Sequence, residues 1–189
     1  PNFPQVEIKG IVNDLLNDLP KLEPGQENNE YEKNPSEYLT VTGIRKSNDV
    51  LTDHQTRNIR EVDRNIYRIA IQMWNNKHGR LRYTDLPKEL QFHNNKTSFL
   101  DRFKVVEGDM ECAHTMLAHI AKDGHYYIHP DIEQARSLSV REAARIQSFP
   151  DSYYFEGSRT AKFVQIGNAV PPLMAKGIAN EIMRLLNGL

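Results

Sequence analysis

The chain has 189 residues, 39% of them hydrophobic, with a net charge of -1 and a mean hydropathy of -0.64. That length suits one ordinary domain, or a small domain with flanking segments, and the modest hydrophobic share points to surface shaped for packing against something else. No run of about 18 apolar residues is present, which excludes a transmembrane helix, the start PNFPQVEIKG lacks the apolar core of a signal peptide, and the single Cys112 excludes an internal disulfide framework and fits a reducing cytosol.

Charge is unevenly spread. Residues 1–43 hold 3 Lys/Arg against 8 Asp/Glu, residues 44–104 hold 13 against 7, and residues 105–189 hold 8 against 10. A basic middle is what a local phosphate-contacting surface looks like, although solvated helix faces give the same count.

In chain order, Ile11, Val12, Leu15, Leu16 and Leu19 have helical spacing within Ile8 to Leu19, and Pro20 stops the pattern. Lys21 to Tyr38 is polar and acidic with Pro and Gly, a loop or poorly ordered segment. LTVTGI (Leu39 to Ile44) reads as a short strand. Asn58 to Asn75 is a helix whose stripe is Ile59, Val62, Ile66, Ile69, Ala70 and Met73, with Asn58 and Glu61 as a variant capping box. Arg57, Arg60, Arg64 and Arg68 recur at spacings of three and four and share a neighbouring face. That row either meets phosphates or is a solvated face paired with Glu61 and Asp63.

Residues Arg80 to Phe103 read as loops and short turns. Thr115 to Ile120 and His125 to Ile128 read as the strands of a hairpin closed by Asp123-Gly124. Ser139 and Glu142 form a capping box at the start of a short helix through Gln147, which Pro150 ends. The last helix starts at Pro171 or Pro172, carries Leu173, Gly177, Ile178, Ile182, Leu185 and Leu186 inward, and stops at Asn187-Gly188.

No catalytic set stands out. Cys112, in Glu-Cys-Ala-His, has only His114 nearby to activate it and reads as an incidental thiol. Cys112, His114, His119, His125 and His129 match no common zinc spacing, so no metal is expected. QIGNAV (Gln165 to Val170) is a Gly-Asn turn before a Pro-Pro helix start; it serves either as a small-molecule contact or as a plain helix entry.

Two segments carry a resemblance. In SLSVREAARIQSFPD, Arg141, Glu142, Ala143, Ala144, Arg145, Gln147, Phe149, Pro150 and Asp151 fit the penultimate signature block of the DNA cytosine-5 methyltransferases, with Ile146 in place of leucine. In QIGNAVPP, Gln165, Gly167, Asn168, Val170, Pro171 and Pro172 fit the final block. KDGHYYIHPD (Lys122 to Asp131) and LTDHQTRN (Leu51 to Asn58) also resemble recognition-domain sequences of one bacterial branch, and Ile11 to Pro20 resembles the helix after that family's catalytic arginine block. The match is weakest at residues 21–45 and 75–110. The glycine-rich cofactor block, the Pro-Cys-Gln nucleophile, the Glu-Asn-Val block and the Gln-x-Arg-x-Arg block are all missing from this sequence.

The resemblance implies the C-terminal part of such an enzyme. Residues 1–20 would follow the catalytic domain, 21–38 form an acidic loop, 39–151 the target-recognition domain, and 152–189 a return segment and helix belonging to the catalytic domain. The implied fold is α+β: a small recognition domain with short strands and a hairpin, plus C-terminal helices that pack on a missing Rossmann-like catalytic domain.

The complete enzyme would move a methyl group from S-adenosylmethionine to C5 of cytosine in duplex DNA, in a bacterial cytoplasm and of restriction-modification type. Gly167, Asn168, Ala169 and Val170 would line the cofactor pocket. Arg57, Arg60, Arg64 and Arg68 would contact DNA, and Arg141, Glu142, Arg145, Gln147 and Pro150 would support the recognition domain. The isolated chain would be inactive for want of the nucleophile. Its partners would be DNA and the catalytic domain or subunit, and the lack of an initiator Met before Pro1 favours an excised fragment over a natural subunit. A free-standing DNA-binding module or inactive remnant is the alternative, against which the cofactor-side QIGNAVPP segment speaks.

Overall fold

The computed structural model describes residues 8–188. The first seven residues of the segment 1–20, and with them most of the stretch read for a signal peptide, lie outside that range.

Among the described residues, five α-helices give the regular structure: α1 (Glu37–Thr42), α2 (Glu61–Lys77), α3 (Val140–Ile146), α4 (Arg159–Asn168) and α5 (Pro172–Asn187). Short 3-10 turns occur at Val12–Leu15, Tyr83–Asp85, Lys88–Leu90 and Ala118–Ala121. Among the described residues there is no β-strand, and extended segments meet only at isolated bridges: Glu27 with Gln55, Val105 with Ile128, and Ile128 with Ser137. The expected α+β architecture, with its short strands and hairpin, is therefore corrected to a mainly helical one.

LTVTGI is a helix and its cap, although Thr and Val favour strands. The Ser36 hydroxyl accepts from the Leu39 amide at 3.2 Å, and the Thr40 and Thr42 hydroxyls donate to the Ser36 and Tyr38 carbonyls. Gly43, at φ 73, closes the helix in the left-handed region that side chains disfavour. Caps at both ends outweigh the intrinsic preference over so short a run.

The expected hairpin fails for a different reason. Asp123 does make a turn, its carboxylate accepting from the His125 amide at 3.0 Å. Its two arms do not pair with each other. Ala118–Ala121 winds into a 3-10 turn, the Tyr127 hydroxyl accepts the Leu117 amide at 2.9 Å, and the Ile128 amide turns to the Lys104 carbonyl at 3.0 Å.

The first helix is likewise reduced to Val12–Leu15, because the amides of Val12 and Asn13 bond to the carbonyls of Met110 and Gly108. Its apolar spacing still holds, with Val12, Leu15, Leu16 and Leu19 all buried. The acidic segment 21–38 is a loop tied to the domain: Leu22 is buried and its amide donates to Gln134 Oε1 at 3.0 Å.

Helix α2 begins at Glu61 with Arg60 as its N-cap, which makes no side-chain capping bond, so the Asn58 capping box does not form. Its buried face is Asp63, Ile66, Tyr67, Ala70, Ile71 and Trp74, rotated from the expected stripe. The large aromatics decide the face, because each buries a broad ring and satisfies a polar tip. The Tyr67 hydroxyl lies 2.9 Å from His125 Nδ1, and Trp74 Nε1 donates to Asp109 at 2.9 Å.

Two apolar cores result. One surrounds α2 with Leu81, Tyr83, Phe103, Val105 and Ile128. The other joins Val12, Leu15, Leu39 and Ile44 to α3 and α4 through Ala143, Ala144, Phe149, Phe163 and Ile166.

Candidate functional site

Helix α3 is the structural centre of the site, and it is buried in an unusual way. Arg136, Arg141 and Arg145 are each fully buried, and none stands unpaired. A buried charge survives only where partners replace its water.

Glu142 completes the Ser139 capping box, accepting from the Ser139 amide at 2.7 Å while the Ser139 hydroxyl accepts from the Glu142 amide at 3.1 Å. Both Glu142 oxygens also take the Arg136 fork at 2.8 Å. Burial pushes the Glu142 pKa up, but Arg136 and His129 beside it outweigh burial and hold it below the usual range.

Burial, assisted by Arg136, lowers His129 to about 4. Its Nδ1 accepts from the Asp131 amide at 3.1 Å, which leaves the proton on Nε2, 3.5 Å from Glu142 Oε1. At neutral pH that approach is a contact with a neutral ring and not an ion pair. His54 also stays neutral, lowered by burial, with Nε2 donating to the Pro20 carbonyl and Nδ1 accepting from Ser139.

Arg145 is clamped between two carboxylates. It donates to Asp151 at 2.9 and 2.6 Å, to Asp18 at 2.6 and 3.1 Å, and to the Leu15 carbonyl at 2.7 Å. Arg45 also pairs with Asp18, and its guanidinium lies 3.4 Å from the Tyr31 ring centroid. Arg141 donates to Thr52 through its carbonyl and hydroxyl, and to the carbonyls of Pro150 and Tyr153. The block thus ties residues 15–22, 45 and 52 to 136–153.

Gln147 extends the block toward the C-terminus, its side-chain amide donating to the Ile166 carbonyl of α4 at 3.1 Å. The neighbouring Ser148 hydroxyl accepts from the Leu173 amide at 3.1 Å, seating the start of α5. Gln165 to Asn168 is the last turn of α4 and not a free Gly-Asn turn, with Ala169 as its extended cap. Gly167 is required by close approach: a Cβ there would stand 2.5 Å from Ala118 N and Cα and 2.6 Å from the Leu117 carbonyl carbon.

Asn168 and Val170 face outward, Val170 at 60% exposure, and Ala169 is half-buried. A free amide beside exposed apolar surface suits a ligand with a polar edge and a flat apolar face. Helix α5 begins at Pro172 and is capped by Gly188; of the expected inward set Leu173, Gly177 and Ile178 are half-buried, but Ile182, Leu185 and Leu186 are exposed. Met174, Ile182, Leu185 and Leu186 all exceed half exposure.

The four candidate DNA-contacting arginines do not form one row. Arg60, Arg64 and Arg68 lie at or on α2 and pair with Asp63, Glu23 and Glu61 respectively. Arg57 precedes the helix and turns inward, donating to the Ile120 carbonyl at 2.6 Å.

Cys112 is exposed, and His114 is engaged elsewhere, with its ring nitrogens facing Glu107 and the Tyr126 carbonyl. Among the described residues no group of three or more His, Cys, Asp or Glu is placed to hold a metal ion, and no helix is long and apolar enough to cross a membrane.

Sequence reasoning missed Asp18, Arg45, His54, His129 and Arg136, all buried in this network. A signal existed only for Arg136, an arginine six residues before a capping-box glutamate.

A family model described as C-5 cytosine-specific DNA methylase matches residues 2–184. Type II methyltransferase M.Bpa9945I of Bacillus paralicheniformis is 46% identical over 203 residues, covering 100% of this chain and 44% of the relative. Type II methyltransferase M.AgeI of Thalassovita gelatinovora is 43% identical over 53% of this chain and 22% of its own length. DNA (cytosine-5)-methyltransferase 4 of Arabidopsis thaliana is 32% identical over 93% of this chain and 12% of its own length. The chain therefore spans less than half the length of these curated relatives.

Proposed function

We propose, because the chain belongs to the C-5 cytosine-specific DNA methylase family, that it supplies DNA recognition and one wall of the S-adenosylmethionine pocket to a larger enzyme. That enzyme methylates C5 of cytosine in duplex DNA and is of restriction-modification type.

One observation carries the reading. The Arg141–Asp151 block and the Gln165–Pro172 block are joined through Gln147 and Ser148, and beyond that joint α5 exposes Met174, Ile182, Leu185 and Leu186. Apolar side chains on successive turns of one helix favour a covering partner. The partner in this reading is the catalytic part of the same enzyme.

The methyl donor, when bound, supplies the group transferred. On this chain the Asn168 amide would take its polar edge and Val170 its apolar face, while α4 holds both in place. Arg60, Arg64 and Arg68 would exchange their carboxylate partners for phosphates. For Arg68, whose pair with Glu61 is exposed, such a swap is inexpensive, since exposed ion pairs contribute only about 0–1 kcal/mol. Base-edge contacts would then specify the site and phosphate contacts would position the protein.

The isolated chain would not transfer methyl groups, because the sequence holds no Pro-Cys-Gln block and Cys112 is exposed with no free base beside it. The test is methyl transfer from labelled S-adenosylmethionine to mixed-sequence DNA, by the chain alone and with the catalytic part. Silence alone and activity when combined are expected. Activity of the chain alone would overturn the reading, and silence in both with salt-sensitive DNA binding would favour a free-standing binding module.

A further inference from the structure

The 3-10 turn Ala118–Ala121 is held from two sides by residues far away in sequence. On one side the Arg57 guanidinium donates to the Ile120 carbonyl at 2.6 Å. On the other, Phe163 and Gly167 of α4, four residues apart and so on one face of that helix, close against the same region. The guanidinium carbon of Arg57 lies 5.0 Å from the Phe163 ring centroid. Gly167 meets the backbone of Leu117 and Ala118 too closely for any Cβ.

Arg57 is poorly placed to reach a phosphate. Its Nε is buried without a partner, and a second arginine, Arg159, lies alongside, donating to the Thr56 carbonyl at 3.0 Å. A planar guanidinium can lie on a ring and donate in its own plane at once, which a lysine ammonium cannot. The group links the Ile120 carbonyl of the turn to the Phe163 ring of α4, beside the direct contact at Gly167. The residue after Gly167 is Asn168, so the spacing at the turn sets where the outward-facing amide sits.

We propose that Arg57 is a positioning residue that, with Gly167, fixes the Asn168–Val170 segment against the recognition region and thereby sets affinity for the methyl donor, not for DNA phosphates. This rests on the reading that Asn168 and Val170 contact the donor.

The test uses the complete enzyme carrying Arg57→Lys, with Gly167→Ala and Asn168→Ala prepared separately. The KM for S-adenosylmethionine, kcat, thermal midpoint and DNA affinity against salt are measured for each. Arg57→Lys should raise that KM roughly fivefold, within the range by which remote residues tune a site. The slope of DNA affinity against salt should not change.

A slope shallower by about one unit, with the KM unchanged, would mark Arg57 as a phosphate contact and overturn the inference. A lowered thermal midpoint with KM and DNA affinity weakening together would make it a purely structural residue and also overturn it. Asn168→Ala separates the two levels. If it leaves the KM unchanged, the pocket-wall reading fails; if it raises the KM while Arg57→Lys does not, only the present inference fails. Gly167→Ala should act in the same direction as Arg57→Lys, and Arg57→Lys remains decisive if that alanine chain does not fold.

Discussion

The amide of Gln147 reaches the Ile166 carbonyl at 3.1 Å, so a residue of the buried arginine block holds the helix that ends in the outward-facing Asn168. Gln147 is itself almost fully buried. Replacing it with leucine keeps the volume and removes the bond. The loss should be about 1 kcal/mol, a typical net hydrogen bond, since Ile166 still accepts from the Ala169 amide. A shift in the urea midpoint with an unchanged m-value would report it.

Removing Arg145 should be far more damaging. Arg145→Met leaves Asp18 and Asp151 buried with most of their compensation gone. Breaking one side of a buried ion pair costs about 3–5 kcal/mol, and a marginal protein loses much of its stability by that amount. Chemical denaturation gives the value; a change below about 1 kcal/mol would mean that water reaches these carboxylates.

Acid should weaken the fold before the carboxylates titrate. His129 is lowered to about 4 by burial and Arg136, so the unfolded chain binds a proton there at a pH where the folded chain does not. Linkage then makes stability rise with pH across that window. The contribution is fully present above pH about 6.5 and is lost progressively down to about 4, for a total of roughly 3 kcal/mol. His54, also lowered by burial, acts with the same sign. Urea midpoints between pH 7 and pH 5 should fall, and His129→Gln should flatten that fall; an unaltered profile in the variant would refute the assignment.

The surface arginines should behave differently from the buried ones. Alanine at Arg68 should change stability by less than about 1 kcal/mol, because its pair with Glu61 is exposed, whereas alanine at Arg60 or Arg64 should cost more, because Asp63 and the Arg64 side chain are largely buried. In the complete enzyme each should weaken DNA binding and reduce the salt slope by about one unit, similarly across sequences. Titrations at several salt concentrations check this, and unchanged slopes in all three would move the phosphate contacts elsewhere.

The exposed face of α5 separates isolated chain from assembled enzyme. Ile182 and Leu185 are each more than half exposed here. Ile182→Asn with Leu185→Asn should leave the isolated chain's stability nearly unchanged. In the complete enzyme the same pair should lower stability by about 2–4 kcal/mol if both side chains become covered. Equal midpoints in both contexts would show that this face stays in water.

The helix boundaries around the candidate site were legible because their signals are local. The Ser139–Glu142 capping box, the Pro172 start and the Gly188 stop each depend on neighbours within one turn. The misread elements depend on distant groups. Leu39 to Ile44 looked like a strand until Ser36 and Gly43 capped it, and of the arms around Asp123 the first wound into a 3-10 turn while the backbone of the second paired with Lys104. The face of α2 shifted because Tyr67 and Trp74 meet His125 and Asp109 across more than thirty residues. No periodicity reports where a buried arginine will find its carboxylate, so Asp18 was silent until α3 was seen beside it.

That arrangement also orders events at the ribosome. Asp18 is synthesised 127 residues before its partner Arg145. Until that arginine emerges Asp18 has only Arg45 as a partner, and the core around Val12 and Leu15, which packs on Ala143 and Ala144, must wait open. At roughly 5–20 residues per second, several seconds pass with that apolar surface unsealed. The nascent chain is exposed to chaperones and proteases for that interval, and the arrival of α3 closes it.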